Sequence, residues 1–355
     1  MAGLVFEEAV TALRSAAEPT RLRLVALLSA SELNVKDISH VLGQSQPRIS
    51  RHLKLLADAG LIERYREGSW VYLRLTEQGH AGALSRLLVD LIDPADPTLK
   101  RDRERADALK AERAAAAQSY FARHAAEWDD IRRRHVDEAI VEAAMRDLLA
   151  GDASGAGVRG GLGTLVDLGT GTGRTLELLA DRCTRGIGID VNPIMLANAR
   201  TRLETLGLSH IQLRQGDIYN LSLVDGAANT VVMHQVLHFL TAPGGAVREA
   251  GRILAPGGRL LIVDFAAHDQ DELREAFAHQ RLGFTIEQLE PWLAEAGLVI
   301  EDERTLVPGQ AVGGEGLTVK IWLSRRVEAG TRKAGRPPPA VALTAPTTSD
   351  LETVR

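Results

Sequence analysis

The chain has 355 residues, a length that predicts two or three domains, and its 45% hydrophobic and 25% charged content is typical of globular proteins. Its formal net charge of −5 excludes a polycation, so any contact with nucleic acid must come from a local basic patch. A single cysteine, Cys183, excludes an internal disulfide and a thiol-based metal cluster. The sequence has no apolar run of about 18 residues. Two early acids, Glu7 and Glu8, do not suit a signal peptide, so we expect a cytoplasmic protein without a membrane span.

The first hundred residues predict mostly helices. Apolar residues at helical spacing predict helices over 5–17 and 19–28, and a short helix over 35–42 follows them. Gly43 suits the end of that short helix, and Ser45 can cap the next one. Two helices joined by such a turn are typical of a helix-turn-helix, whose second helix enters the major groove of DNA.

The second helix of this pair has one apolar and one polar face. Ile49, Leu53 and Leu56 form the apolar face, and residues 44–56 contain three cations and no acid. Charged helix faces are usually only solvated, but the preceding turn and the following hairpin favour DNA binding here. The residues predicted to contact DNA are Ser45, Gln46, Arg48, Ser50, Arg51, His52, Lys54 and Arg66.

A β-hairpin is predicted over residues 61–76, with its turn at 67–69, because one arm alternates apolar and polar side chains. A hairpin placed after a recognition helix is a wing. The order of elements over residues 6–93, and above all the stretch RISRHLKLLADAGLI that starts at Arg48, resembles the ArsR/SmtB family of winged-helix regulators. The resemblance implies that the partner is a duplex DNA operator bound by a homodimer.

Two features of this region qualify the resemblance. Metal-sensing members carry a Cys-Val-Cys type pair where this sequence has Asn34 and Lys36, and a protonated lysine repels a cation, so we predict no metal site. An apolar helix predicted over 78–92 is either a dimerisation helix, as the resemblance implies, or packs on its own domain.

A break at residues 93–97 ends this region, and a charged, alanine-rich helix predicted over 98–117 is expected to be solvated. The predicted division is a winged-helix domain (1–93), a helical connector with pocket-covering helices (94–150), a second domain (151–326) and a disordered tail (327–355).

The second domain is organised around a Gly-rich turn. An apolar strand over 163–168 leads into Gly169, Gly171 and Gly173, and an amphipathic helix follows. The spacing fits neither the dinucleotide loop nor the phosphate P-loop. Asp167 would repel a phosphate and favours a ligand with a cationic amino-acid end. A plain tight turn is the alternative interpretation.

Later motifs extend this pattern. Asp190 follows the second strand, where a carboxylate meets ribose hydroxyls in this architecture, and Asp217 follows the third. Leu254-Ala-Pro-Gly-Gly258 precedes the fifth strand, and the whole order resembles the class I S-adenosylmethionine (SAM) methyltransferases. The aromatic segment 119–130 resembles the segment that covers their cofactor pocket, although docking of a helix on the sheet explains it equally well. Asn229 departs from the acid often found in the family.

The resemblance implies an α/β fold in which a Rossmann-like, seven-stranded class I methyltransferase domain follows the winged helix. It implies SAM as cofactor, with S-adenosylhomocysteine (SAH) as product or effector. The residues predicted to bind the cofactor are Asp167, Gly169, Thr170, Gly171, Gly173, Asp190, Val191, Asp217, Ile218, His234 and Tyr120.

The reaction is less defined by the sequence. His234, His238 and His268 are candidates for a catalytic base, and each also has a purely structural interpretation. Arsenic methylation is disfavoured, because that chemistry uses several thiolates and the sequence has one cysteine. Three hypotheses follow: a regulator fused to an enzyme that methylates a small molecule, a repressor that senses SAM or SAH without turnover, and an enzyme whose winged helix only dimerises it or recruits a protein.

Overall fold

The structure is a computed structural model. The residues that it describes are 5–30, 32–67, 69–76, 79–125, 127, 128, 131, 136–150, 161–308 and 316–327. Gly68 of the predicted hairpin turn, Asp129 and Asp130 of the aromatic segment, most of the Gly-rich linker and the tail from residue 328 lie outside them. None of the helices within the described ranges combines the length and apolar character that a bilayer crossing requires.

The amino-terminal region is a winged helix, as predicted. Its elements are α1 (Phe6–Ala16), α2 (Pro19–Ala30), β1 (Leu33–Asn34), α3 (Val35–Leu42), α4 (Gln46–Asp58), β2 (Ile62–Glu67), β3 (Trp70–Leu75) and α5 (Gly79–Asp90). The hairpin β2–β3 is antiparallel, and the short strand β1, which was not predicted, extends it in the order β1-β3-β2.

The helix-turn-helix is α3 and α4. The side chain of Asn34 caps α3 by accepting a hydrogen bond of 2.9 Å from the Asp37 amide, and Gly43 ends the helix in the left-handed conformation with φ of 63°. Ser45 occupies the N-cap position of α4, but its side chain makes no capping hydrogen bond there, which corrects the predicted cap. The apolar face of α4 packs into the core of the domain through Ile49, Leu53 and Leu56.

The connector differs from its prediction. Helix α6 (Pro97–His124) continues through the start of the aromatic segment, and several of its side chains are buried, so it is not a solvated helix. Asp96 caps its first turn with hydrogen bonds from the Thr98 and Leu99 amides. A second connector helix, α7 (Glu138–Ala150), packs under the sheet of the second domain.

The second domain alternates strands and helices. Its elements are β4 (Gly163–Leu168), α8 (Arg174–Leu179), β5 (Cys183–Asp190), α9 (Pro193–Thr205), β6 (Ile211–Gln215), β7 (Ala228–His234), α10 (Pro243–Ile253), β8 (Leu254–Phe265), α11 (Glu272–Ala276), α12 (Ile286–Glu295), β9 (Leu298–Leu306) and β10 (Val319–Arg326). They form one seven-stranded sheet in the order β6-β5-β4-β7-β8-β10-β9.

Strands β4 to β8 are parallel, and β10 inserts antiparallel between β8 and β9. This is the Rossmann-like class I methyltransferase sheet that the sequence predicts. The strand order reverses at β4, whose neighbours are β5 on one side and β7 on the other. Ligands bind at such a reversal, beyond the carboxyl ends of the strands, so the fold itself indicates where the site lies.

The wing is docked on the second domain by buried charges. The Glu67 carboxylate accepts hydrogen bonds from Arg274, at 2.9 Å, and from the Leu282 amide, at 2.6 Å. Arg281 is almost fully buried and pairs with Glu32 at 2.9 Å and with Glu67 at 3.5 Å. The Arg274 and Arg281 guanidinium groups also stack on Trp70 and Tyr72, at 4.3 and 4.4 Å from the ring centroids.

We expect Glu67→Ala to lower the free energy of unfolding by about 3–5 kcal/mol, because two buried guanidinium groups lose their shared carboxylate. Urea denaturation of the full chain measures this change. The control is Glu63→Ala on the same strand, whose carboxylate pairs with Arg74 at 2.8 Å but is 42% exposed, so its loss should cost at most about 1 kcal/mol. Equal losses in the two variants would show that the buried cluster does not hold the wing.

Candidate functional site

A cavity of about 250 Å³ lies at the carboxyl ends of β4, β5, β6 and β7. Eight of the residues predicted to bind a cofactor line it: Gly169, Thr170, Gly171, Asp190, Val191, Asp217, Ile218 and His234. They come from four separate turns of the sequence, so the fold brings together residues that the motifs placed one by one.

The Gly-rich turn is pinned to the neighbouring strand. The amides of Gly169 and Thr170 both donate to the carbonyl of Ile189, at 2.8 and 3.0 Å. Gly169 has φ of 73°, and a Cβ atom there would lie 2.5 Å from a methyl carbon of Val236. Glycine is therefore required at this position both by backbone conformation and by the close approach of the Val236 side chain, which follows β7.

Asp190, at the end of β5, connects the Gly-rich turn to the start of the segment that follows β5. One carboxylate oxygen accepts the Gly171 amide and the other accepts the Asn192 amide, both at 2.8 Å. Burial raises the pKa of the Asp190 carboxyl above its usual value. Each oxygen keeps a lone pair beyond these bonds, and Asp190 lines the cavity, so the carboxylate can accept hydrogen bonds from a pair of neighbouring hydroxyls.

Three residues of the predicted cofactor set lie elsewhere. Asp167 is buried beneath the turn, where it accepts the Thr170 hydroxyl at 2.6 Å, so it holds the loop from below. Gly173 caps α8, and a Cβ there would approach Ala199 to 3.2 Å. Tyr120 lines a second, smaller cavity and not the first.

Helix α6, part of the connector that the sequence analysis expected to carry pocket-covering helices, lines the first cavity. Its carbonyl at Gln118 accepts the Asn192 side-chain amide at 3.1 Å, which ties the helix to the strand end that carries Asp190. Lining residues without a predicted role are Gln118, Thr175, Met195, Tyr219, Gln235 and Phe239. The only signal in the sequence was the cluster of aromatics at the end of the helix.

The second cavity, of about 20 Å³, adjoins the first and shares Trp128, Gln235 and Phe239 with it. Its wall is mostly aromatic: Tyr120, Trp128, Phe239, Phe265, Phe277, His238 and His279. Gln235 stands between the two cavities with φ of 52°, which is strained for a residue with a side chain. Strain of this kind is concentrated at functional sites, because the surrounding fold must enforce it.

The three candidate histidines have different surroundings. His234 lines the first cavity, with its Nδ1 3.3 Å from the Thr175 hydroxyl. His238 lines the second cavity, with its Nδ1 2.7 Å from the carboxylate of the fully buried Asp264. His268 lines neither cavity, and its Nδ1 accepts the Gln270 amide at 3.2 Å.

The predicted DNA-contacting residues lie mostly on one exposed face. Those exposed on or beside α4 are Ser45, Gln46, Arg48, Ser50, Arg51 and Lys54. None of the three cations among them has an ion-pair partner within the described part of the chain. His52 is half-buried, and its Nδ1 lies 3.5 Å from the Glu18 carboxylate. Arg66 is exposed on β2, on the face of the wing opposite Glu67.

Helix α6 also contacts the helix-turn-helix. Arg113 makes a bidentate ion pair with Asp37 of α3, at 2.8 and 2.5 Å. Arg23 of α2 pairs with Asp102 at 2.7 Å, and Arg105 donates to the carbonyl of Val41 at 3.1 Å. One helix therefore packs on the helix-turn-helix region through Asp102, Arg105 and Arg113 and lines the cavity through Ala114, Gln118 and Phe121. Within the described ranges, no group of three or more His, Cys, Asp or Glu side chains is arranged to hold a metal ion.

The fold and site define a winged helix joined to a class I methyltransferase fold. Residues 18–64 match the family described as bacterial regulatory protein, arsR family, and residues 166–262 match the family described as methyltransferase domain. The chain therefore joins an arsR-type regulatory region to a methyltransferase domain.

Individual relatives match one part or the other. The arsenical resistance operon repressor of Escherichia coli is 45% identical over 75 residues, 21% of this chain and 62% of that protein. Phosphatidylethanolamine N-methyltransferase of Cereibacter sphaeroides is 35% identical over 112 residues, 31% of this chain and 55% of that protein. The chain spans between 28% and 62% of the length of the curated relatives it matches.

Among solved structures, the YcgJ protein of Bacillus subtilis aligns with a TM-score of 0.40 and 18% identity. The alignment covers 46% of this chain and 92% of that one.

Proposed function

We propose that the protein is an operator-binding transcriptional regulator of the ArsR type whose second domain binds SAM and methylates a small molecule. The observation that carries the proposal is the 250 Å³ cavity at the strand-order reversal, lined by the Gly-rich turn, Asp190 and Asp217. A methyltransferase domain with this site intact fits an enzyme, and a basic helix-turn-helix fits a DNA partner.

The cofactor assignment is supported by complementarity. The turn at Gly169–Gly171 allows close approach of backbone, and the two oxygens of Asp190 suit a ribose diol. Asp217 and Ile218 lie at the next strand end along the sheet, where the resemblance places the adenine ring. We assign one SAM or SAH to each subunit.

We expect Asp190→Ala to weaken SAM and SAH binding about 10- to 100-fold, because the ribose hydroxyls lose charged hydrogen-bond acceptors. Isothermal titration calorimetry on the full chain measures this loss. Asp181→Ala is the matched control, since that carboxylate is exposed and pairs with Arg146 at the surface, away from the cavity. Binding by Asp190→Ala as tight as that of the wild type would refute the site assignment.

The DNA assignment is supported by the unpaired cations of α4 and by the exposed surface of the helices beside it. Leu87 and Leu91, on α5 and just after it, are 54% and 73% exposed, and Phe6 at the start of α1 is 81% exposed. Leu84 and Leu88 of the same apolar stripe are partly buried and pack on the domain core. The rest of the stripe is exposed, and we propose that a second copy of the chain covers it, as palindromic operators require.

We expect Arg51→Ala to weaken specific operator binding by about 1–3 kcal/mol if the guanidinium contacts a base edge. Gel-shift titration at fixed salt measures the change. Arg200→Ala removes the same charge from the exposed surface of α9, so it tests the contribution of overall charge. Equal affinities for all three proteins would instead favour an enzyme whose winged helix only dimerises it or recruits a protein.

A second candidate function is a repressor in which SAM or SAH tunes DNA affinity without turnover. The observation that favours it is α6, because the helix that lines the cavity is also ion-paired to α3 through Arg113 and Asp37. A ligand that shifts α6 would shift the helix that positions α4. Linkage requires the effect to be reciprocal, so operator DNA must change SAH affinity by the same factor.

If this coupling exists, we expect saturating SAH to change operator affinity of the wild type and Arg113→Ala to reduce that change. Gel-shift titrations with and without SAH provide both coupling factors. Lys100→Ala is the control, because this exposed cation lies on the same helix and pairs only with Glu104. Identical titrations of the wild type with and without SAH would eliminate the sensor, and full coupling in Arg113→Ala would exclude the ion pair as its route.

A further inference from the structure

We propose that the junction of the two cavities is the acceptor site, and that the methyl acceptor is a neutral, single-ring hydroxylated aromatic compound methylated on oxygen. In this proposal His238, oriented by Asp264, is the general base. The inference rests on the proposed SAM-dependent function and names its substrate class.

The walls of the junction favour a flat, uncharged ring. Phe121, Trp128 and Phe239 enclose one side, with the Phe121 ring 4.7 Å from Phe239 and 5.2 Å from Trp128, both edge to face. Beyond them, the rings of Phe265 and His279 are stacked at 5.8 Å. Such surfaces bind aromatic rings through stacked and edge-on contacts. None of the described residues lining the second cavity is an Asp, Glu, Lys or Arg, so a charged acceptor finds no counter-ion there.

The sizes of the two cavities place the acceptor's hydroxyl. The second cavity holds about 20 Å³, which is room for one water-sized group, whereas the first holds about 250 Å³. A ring therefore lies between the aromatics of the first cavity, and its hydroxyl enters the second beside His238. Gln235 lies at the opening that both cavities share, and its strained backbone fixes that opening.

His238 and Asp264 form a hydrogen-bonded pair beside this small cavity, and the imidazole of the pair can accept a proton. Asp264 is fully buried and accepts from the Nδ1 of His238 at 2.7 Å and from the amides of Phe265 and His238 at 2.8 and 3.3 Å. Because the carboxylate is an acceptor, the neutral imidazole carries its proton on Nδ1, which leaves Nε2 with a lone pair. No hydrogen-bond partner of Nε2 is found among the described residues.

The backbone around the dyad is equally constrained. The carbonyl of His238 accepts the amides of Gln280 and Arg281, at 2.8 and 3.0 Å, and its ring lies 4.4 Å from that of His279. The imidazole is thus held by its own backbone, by Asp264 and by the aromatic wall. A base fixed in this way loses little orientational entropy when an acceptor arrives.

The proposed step transfers a methyl group from the sulfur of SAM to the acceptor oxygen. His238 Nε2 takes the hydroxyl proton while the acceptor oxygen bonds to the methyl carbon and the carbon–sulfur bond breaks, its electron pair remaining on sulfur. The products are a methyl ether, SAH and a His238 imidazolium that returns its proton to solvent. No oxidant, reductant or metal is consumed.

The test compares phenol with 4-nitrophenol at about pH 6, where both are neutral and the more acidic hydroxyl of 4-nitrophenol depends less on a base. We expect His238→Gln to lower kcat/KM for phenol about 100-fold or more, and that for 4-nitrophenol less than about 10-fold. His210→Gln is the control, since the ring Nε2 of this half-buried histidine lies 3.0 Å from the Ala180 carbonyl and the residue lines neither cavity. Equal losses on both phenols would reduce His238 to a structural role and overturn the proposed base.

A second measurement does not depend on turnover or on the variant. Phenol titrated calorimetrically into wild-type protein saturated with SAH should bind, and benzylamine, a cation at this pH, should not. Binding of SAH without phenol, or binding of benzylamine in place of phenol, would overturn the acceptor class while leaving the cofactor site intact. Failure of SAM and SAH themselves to bind would instead refute the proposed function.

Discussion

The relative position of the two domains depends on one buried carboxylate. Glu67 lies where two guanidinium groups, Arg274 and Arg281, and a backbone amide converge, in a region from which water is excluded. Separating the wing from the second domain would leave these charges buried without a partner, or would require their rehydration. The other face of the wing carries Arg64 and Arg66, which are exposed. One face of the wing is therefore buried against the second domain, and the opposite face remains accessible to solvent.

The same short segment serves both the wing and the second cavity. Phe277 and His279 line the cavity, the amides of Gln280 and Arg281 bind the carbonyl of His238, and Arg281 holds the wing. Only a few residues of backbone therefore separate the proposed acceptor site from the contacts that hold the wing. Together with α6, this segment gives the two halves two noncovalent connections, where the sequence indicated only the covalent one through residues 93–97.

Local patterns in the sequence predicted most of the fold, because they record which face of each element is buried. The strand Gly163–Leu168 and the helix Val35–Leu42 have the predicted limits, and the seven-stranded sheet follows the family resemblance. What the sequence does not record is pairing between distant residues. Arg281 and Glu32 are 249 positions apart, and Arg113 and Asp37 are 76 apart, so the burial of α6 was missed. No pattern in the sequence paired Asp264 with His238, because only folding brings the carboxylate to 2.7 Å from the imidazole Nδ1.

The start of α3 carries different residues from those of the metal-sensing ArsR/SmtB members. The ArsR/SmtB resemblance places thiolate ligands at the positions of Asn34 and Lys36. Here Asn34 caps the helix and donates to Asp37 at 2.8 Å, and Asp37 in turn pairs with Arg113 of α6. Lys36 is exposed to solvent. The position from which a metal would act on α3 and α4 is thus occupied by a hydrogen-bonded amide, carboxylate and guanidinium, and the last of these belongs to the helix that closes the first cavity.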